Sequence, residues 1–217
     1  MSISNEKKLE SGLLRTLLSR TNLGISGALT ADHSGAVTTI TVDGLGTVPA
    51  TTGHLYIFNA AKLWDRVKYT ARSLEEGVYT FTVKETLDNT YLENEPVYVE
   101  KYEILSYGLT VTENTDSFIQ VIVSTEFDLA PNVSGMNTFK APVMILSATR
   151  VDKDKLRTEL NYLYSECVAV ITGFNKTTLS TYTALTIDAT VRGNQKPEQT
   201  EHFHDQSVST EIFYQTT

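Results

Sequence analysis

The sequence feature that most constrains the fold is a series of short alternating stretches between residues 27 and 102. In residues 36–42, Ile40 and Val42 lie on one face with threonines between them, and residues 78–83 alternate in the same way. Alternation with a period of two predicts strands that bury one face. Further stretches of this kind lie at residues 54–58, 67–71 and 97–100. Five or six short strands separated by turn signals predict a small barrel or sandwich of about 75 residues.

Composition supports a β-rich fold and excludes several other classes. Threonine makes up about 15% of the chain, and Thr, Val, Ile and Tyr all favour strands. The hydrophobic content of 41% is sufficient for a packed core. No apolar run approaches the roughly 18 residues of a membrane-spanning helix, and the polar N-terminus predicts no secretory signal. The net charge of −8 argues against broad nucleic-acid binding, which needs a basic surface.

Residues 4–21 predict a helix at the start of the chain. Ser4 is a suitable N-cap for it. The apolar residues of this segment fall on one stripe and are Leu9, Leu13, Leu14, Leu17 and Leu18. The stripe must be buried, either against its own domain or against a neighbouring subunit. The second alternative makes Leu9, Leu13 and Leu17 candidate interaction residues.

Residues 105–217 predict a layered α+β arrangement. Nearly continuous apolar runs at residues 117–124 and 141–149 indicate buried strands, and residues 153–172 have the pattern of an amphipathic helix. Two more strands are expected at about residues 182–192 and 207–214, joined by a polar loop over residues 193–206. One helix on one face of an antiparallel sheet accommodates this order of elements.

We therefore expect a β-rich, α+β chain in three parts. Residues 1–24 form the N-terminal helix, residues 25–104 a small all-β barrel or sandwich, and residues 105–217 a sheet with one or two packed helices. The barrel is then an insertion between the first helix and the sheet. Insertions of this kind are tolerated in exposed connections whose ends lie close together.

Few groupings in the sequence could carry catalysis or hold a cofactor. His202 and His204 are spaced so that two imidazoles could share one ion, but no second cluster supplies a third ligand. Cys167 lies on the apolar stripe of the 153–172 helix, as a small core residue does. The chain contains no GxSxG, GxGxxG or phosphate-binding-loop motif. We therefore expect no enzymatic activity, no catalytic residue, no bound metal and no cofactor.

The aromatic residues of the region from 54 to 102 support two interpretations. Trp64 and several tyrosines could form the sugar-stacking face of a glycan-binding β-module. Alternatively, these side chains fill the core of a small barrel.

Parts of the chain resemble proteins of tailed-bacteriophage particles. Residues 27–32, the Thr-rich residues 36–42 with Asp43 and Gly44, and the turn from Pro49 to Gly53 resemble a module that recurs in such proteins. The later strands of that module match residues 54–57, 67–71 and 79–83. The final third, which ends in residues 208–214, resembles the sheet-and-helix core of tail-terminator or tail-completion proteins. Such terminators are usually shorter and lack an inserted barrel.

This resemblance implies a structural protein of the virion, assembled in the host cytoplasm, that forms a ring at the head–tail junction. Such rings are commonly sixfold and close through heterologous contacts. The expected partners are copies of itself and tail tube, sheath or connector proteins, with neither specific nucleic-acid binding nor a membrane. The polar loops would then contact neighbours through Asn132, Met136, Thr138, Gln195, His202 and His204. An acidic surface suits a conduit through which DNA slides. A capsid decoration protein and a baseplate or fibre adaptor remain alternatives.

Overall fold

The computed structural model describes residues 4–48, 50–106, 117–123, 128–129, 138–149, 153–172, 176–183, 185–192, 196–199 and 204–215. Over these residues the fold is β-rich with three helices, so the predicted α+β, β-rich class is confirmed. The chain divides into two compact units. We call Leu18–Lys101 the barrel unit, and Ser2–Leu17 together with Tyr102–Thr217 the sheet unit.

Six antiparallel strands close the barrel. They are β1 (Gly24–Leu29), β2 (His33–Asp43), β3 (Gly53–Phe58), β4 (Trp64–Glu75), β5 (Val78–Tyr91) and β6 (Pro96–Glu100). Around the barrel their order is β1-β2-β5-β4-β3-β6, and β6 pairs with β1 to close the circle. Strands β3, β4 and β5 follow one another as hairpins and β6 returns beside β3, which is a Greek-key order. Of the two forms that the sequence left open, the structure shows a barrel.

The barrel interior is apolar and aromatic because alternate residues of each strand point inward. Tyr79, Phe81 and Val83, which the alternation places together on one face, are all buried in this core, and Ile40 and Val42 join them from β2. The rings of Tyr79 and Phe81 stack with their centroids 5.8 Å apart. Burying an apolar side chain of this size stabilises the fold by about 1.5–3 kcal/mol.

Strands β4 and β5 form a long hairpin, with 12 and 14 residues. Glu76 and Gly77 join them with φ angles of 51° and 87°, and two positive φ angles are what a type I′ turn requires. Strand β4 changes partner along its length. Residues 64–69 pair with β3, whereas residues 69–75 pair with β5.

The described residues of the sheet unit form a mixed sheet of seven strands. They are β7 (Glu103–Ser106), β8 (Ser117–Val123), β9 (Asp128–Leu129), β10 (Thr138–Thr149), β11 (Thr186–Arg192), β12 (Lys196–Gln199) and β13 (His204–Gln215). The main order is β11-β13-β10-β8-β7, while β12 also pairs with β13 and β9 with β10. Strands β7 and β8 are parallel, which corrects the prediction of a wholly antiparallel sheet. An apolar run indicates a buried strand but does not show its direction.

The described part of the chain contains three helices, α1 (Asn5–Leu18), α2 (Lys153–Thr172) and α3 (Lys176–Thr183). The first two confirm the helices predicted at residues 4–21 and 153–172. Ser4 caps α1, because its Oγ accepts a hydrogen bond from the Lys7 backbone N–H at 3.3 Å. Helix α2 packs on β10 and β13. None of these helices is both long and apolar enough to cross a membrane.

Helix α1 packs against α3 inside the sheet unit. Gly12 lies so close to Thr183 and Leu179 that a Cβ at residue 12 would collide with the Thr183 side chain. The Arg15 guanidinium lies over the ring of Tyr182, 4.3 Å from its centroid. Both contacts hold α1 against α3, although the two helices are far apart in the sequence.

Candidate functional site

The leucine stripe predicted as a candidate interaction surface is part of the core. Leu9, Leu13 and Leu17 have no exposed surface in the single chain. Their helix contacts α3 of the same unit, so the structure shows the alternative in which the stripe packs within its own chain. These three leucines are therefore corrected from surface residues to core residues.

Of the six loop residues predicted to contact neighbouring subunits, the structure describes two. Asn132, Met136, Gln195 and His202 lie outside the described residues. Thr138 was expected in a loop but is the first residue of β10, where its Cα partner is Gln215. Likewise His204 is the first residue of β13 and pairs with Thr149 and Gln199. These two positions are corrected from loop to strand, since long strands extend into the polar segments.

The sequence also suggested chemistry at a metal, a thiol or an aromatic face. Within the described ranges, no group of three or more His, Cys, Asp or Glu side chains is placed to hold a metal ion. Cys167 is buried, with 1% of its surface exposed, as expected of a core residue. The aromatic side chains of the barrel core are Tyr69, Tyr79, Phe81 and Tyr91, and their burial removes them from any sugar-stacking face.

The candidate interaction surface of the barrel unit lies along β4. The first half of this strand makes hydrogen bonds to both of its neighbours, β3 and β5. Its backbone pairs with β3 from residue 64 to residue 69. Toward β5, side chains replace the missing backbone ladder. The Lys68 N–H donates to Glu85 Oε1 at 3.1 Å. The Asn89 N–H and Nδ2 donate to the two carboxylate oxygens of Asp65, each at 3.1 Å.

A buried ion pair also fixes this first half of β4. Arg66 Nε and Nη2 donate to Glu100 Oε1 and Oε2 at 2.9 and 3.0 Å. Only 11% of the Arg66 side chain and 4% of the Glu100 side chain are exposed. This bidentate pair ties β4 to β6 across β3.

His54 on β3 completes this cluster. Its Nδ1 lies 3.2 Å from Arg66 Nη2. Burial, followed by the charges of Arg66 and Lys68, lowers the pKa of His54 to about 4. The Glu100 carboxylate, 3.6 Å from Nδ1, does not reverse this direction because Arg66 already neutralises it. His54 is therefore neutral at pH 7, and its Nδ1 accepts from the guanidinium.

The second half of β4 has one open edge. After a register shift between Tyr69 and Ala71, β4 pairs regularly with β5 as far as Glu75. No strand in the described part of the chain pairs with its other side. The segment before β3 reaches this side at Arg72, whose Nε donates to the Ala50 carbonyl oxygen at 2.8 Å. Leu74 is 54% exposed and, with Leu92 at 55%, is one of two exposed large hydrophobic side chains among the described residues.

The turn determines which backbone groups point out of the open edge. A two-residue turn makes Glu75 and Val78 the closing hydrogen-bonded pair. Because hydrogen-bonded and non-bonded pairs alternate along an antiparallel ladder, Ser73 also bonds toward β5. The N–H and C=O groups of Arg72 and Leu74 then point away from β5. We call residues 70–75, with these outward groups, the β4 edge.

Strand β2, on the other side of β5, has a second unpaired stretch of a different kind. It shares only Ala28↔Asp43 and Leu29↔Val42 with β1, so residues 33–39 pair only with β5. Its register with β5 shifts twice, between His33 and Gly35 and between Val37 and Thr39. Such irregularities disrupt the regular row of donors and acceptors that a new strand would need. The β4 edge is therefore the better template for a partner strand.

Comparison with protein-family models found no match to this sequence, and comparison with curated proteins found no significant match.

The β4 edge was not predicted from the sequence. The available signal was the Glu76-Gly77 pair between two alternating stretches, which indicates a tight hairpin.

Proposed function

We propose that the protein is a structural subunit of a tailed-bacteriophage particle that works by binding copies of itself and other particle proteins. In its most specific form, the proposal is a neck or tail-terminator subunit that forms a ring at the head–tail junction. The phage-like strand pattern of residues 27–102 and the terminator-like order of the final third support this specific form.

The observation that carries the assembly role is the β4 edge. Proteins that stay monomeric usually blunt an exposed strand edge with charges, bulges or a covering segment. Here the edge starts after a register shift at Tyr69 and carries Arg72 and Glu75, but residues 71–75 pair regularly with β5 and expose Leu74 beside their outward backbone groups. An edge of this kind suits β-augmentation, in which backbone hydrogen bonds to an added strand supply affinity.

The acidic character of the chain agrees with a position on the DNA path. The net charge of −8 gives the phosphate backbone little to bind, so DNA could pass without being held. The same charge is compatible with the other virion positions, which differ mainly in copy number.

The proposal is tested first by the oligomeric state of the purified full chain. Native mass spectrometry and light scattering over a hundredfold range of concentration should show a closed oligomer. Quantitative mass spectrometry of purified particles should then show about six copies per particle for a single neck ring, or about twelve where two rings pair, against hundreds for a decoration protein. A chain that stays monomeric at the highest concentration and is missing from particles contradicts the proposal.

A further inference from the structure

We infer that the β4 edge pairs antiparallel with the same edge of a second copy of this chain, about a twofold axis at Leu74. The inference deepens the proposed function, on whose self-assembly it rests, by naming the segment and its partner. The contact is isologous, because each copy contributes the same residues. It is therefore distinct from the head-to-tail contacts that close a ring.

The direction of the outward backbone groups limits the registers that two such edges can adopt. These groups belong to Arg72 and Leu74, so the twofold axis can pass at residue 72, 73 or 74. An axis at residue 72 places Arg72 opposite its own copy, and like charges directly opposite each other destabilise a pair. An axis at residue 73 places each Arg72 opposite an exposed leucine.

An axis at residue 74 gives complementary neighbours. Leu74 then lies opposite Leu74 of the second copy, so the apolar side chain that is 54% exposed in one chain is covered in the pair. The side chain of Glu76, the first turn residue after the strand, then lies near Arg72 of the second copy, and the reciprocal pair forms on the other side of the axis. Charge and apolar contact therefore select this register among the three.

The position of the axis also agrees with the contact that Arg72 already makes within the chain. Arg72 holds the segment before β3 through the Ala50 carbonyl, so the freest part of the edge lies toward the turn at Glu76 and Gly77. Two hairpins that overlap only near their turns form a four-stranded antiparallel sheet in the order β5-β4-β4-β5. Their barrels then lie at opposite ends of this sheet.

The register is tested by cysteine cross-linking in the full chain. The native Cys167 is buried and is replaced by alanine to provide the background. An axis at residue 74 makes residue 73 of one copy and residue 75 of the other a non-hydrogen-bonded pair, whose Cβ atoms are about 4.5–5.5 Å apart and close enough for a disulfide after a small adjustment.

We therefore expect an equal mixture of the single variants S73C and E75C to form mixed disulfide dimers on mild oxidation. Neither variant alone should cross-link, and T38C on the exposed, irregular edge of β2 serves as the matched control. Cross-linking of S73C alone, or no cross-linking in the mixture, overturns the inference. A chain that still forms its larger oligomer without this cross-link overturns only the hairpin contact, whereas a chain that is monomeric throughout overturns the proposed function as well.

Charge exchange provides an independent measurement of the same contact. In the pair, E76R places Arg opposite Arg twice and should raise the dimer dissociation constant by about tenfold. The double variant R72E with E76R restores opposite charges and should recover most of this loss. If E76R leaves the dissociation constant unchanged, the register at residue 74 is wrong.

Discussion

The two halves of strand β4 each have backbone pairing with a neighbouring strand on one side only, but they differ in what lies on the other side. The backbone of residues 64–69 pairs with β3 and not with β5. Hydrogen bonds of the Glu85, Asp65 and Asn89 side chains join β4 to β5 there in place of backbone pairing. Residues 69–75 bond to β5 while β3 ends, and there the described chain supplies no second strand. A barrel strand that changes partner thus needs either substitute hydrogen bonds or a partner from elsewhere.

This difference teaches where stability and where association reside in the barrel unit. The first half carries a buried ion pair and side-chain bridges, so substitutions there should lower the free energy of unfolding. The second half is exposed on its open side, so substitutions there should affect association far more than folding.

The largest effect is expected for Arg66→Ala in the first half of β4. This change leaves the buried Glu100 carboxylate without its bidentate partner, which costs about 3–5 kcal/mol of unfolding free energy. Urea unfolding followed by the fluorescence of Trp64, the single tryptophan of the chain, reports on the barrel unit. The matched control is Arg72→Ala in the second half, which should lose about 1 kcal/mol. Equal losses in the two variants would contradict the distinction between the halves.

A smaller effect is expected for Asn89→Ala, which removes the side-chain half of the bridge between β5 and β4. The Asp65 carboxylate then loses one of its two donors from Asn89, and stability should fall by about 1–2 kcal/mol in the same urea assay. Thr86→Ala, at an exposed position of the same strand, should change stability by less than about 0.5 kcal/mol. If both variants lose the same amount of stability, the hydrogen bonds of Asn89 do not hold β5 to the first half of β4.

Acidification should also weaken the first half of β4. The folded pKa of His54 is about 4, below the ordinary value of 6.5, so the unfolded chain binds more protons between these two pH values. The contribution of His54 to stability is therefore fully present above pH 6.5 and is lost as the pH falls toward 4. We expect the difference between the protein and His54→Gln to change by about 1–2 kcal/mol over this window, allowing for solvent screening. The pKa of His33 is lowered in the same direction, so His33→Gln is measured alongside.

The smallest effect on folding is expected for Leu74→Thr in the second half. The side chain is largely exposed in the single chain, so its replacement should change the free energy of unfolding by less than about 0.5 kcal/mol. Association measured by light scattering should nevertheless weaken, because the apolar contact at the twofold axis is lost. A destabilised monomer with unchanged association would reverse the roles that we assign to the two halves.

Much of the fold was predictable from local pattern. Period-two alternation placed Tyr79, Phe81 and Val83 on one face of β5, which is the buried face in the structure, and the leucine stripe identified α1. These patterns follow directly from which side of an element is buried, so a single sequence is sufficient to show them.

The errors arose where tertiary contacts decide the local structure. Helix α3 is rich in threonine, and its last residues were predicted as a strand. Two contacts favour a helix instead: Leu179 is buried, and Thr183 Oγ1 donates a hydrogen bond to the Leu179 carbonyl oxygen at 2.7 Å. The β4 edge depends on where β3 ends relative to β5, and the pair of Arg66 and Glu100 joins residues 34 positions apart. Neither relation is encoded in a short stretch of sequence.

Hydrogen exchange along β4 tests most directly the claim that one half is bonded within the chain and the other is left for a partner. The full chain is compared below and above its association range, with amides resolved by nuclear magnetic resonance or by fragmentation mass spectrometry. The amide of Lys68 should be protected in both states, whereas those of Arg72 and Leu74 should exchange rapidly in the dilute chain and become protected on association. Equal exchange of Arg72 and Leu74 in the two states, whether fast or slow, would contradict the claim.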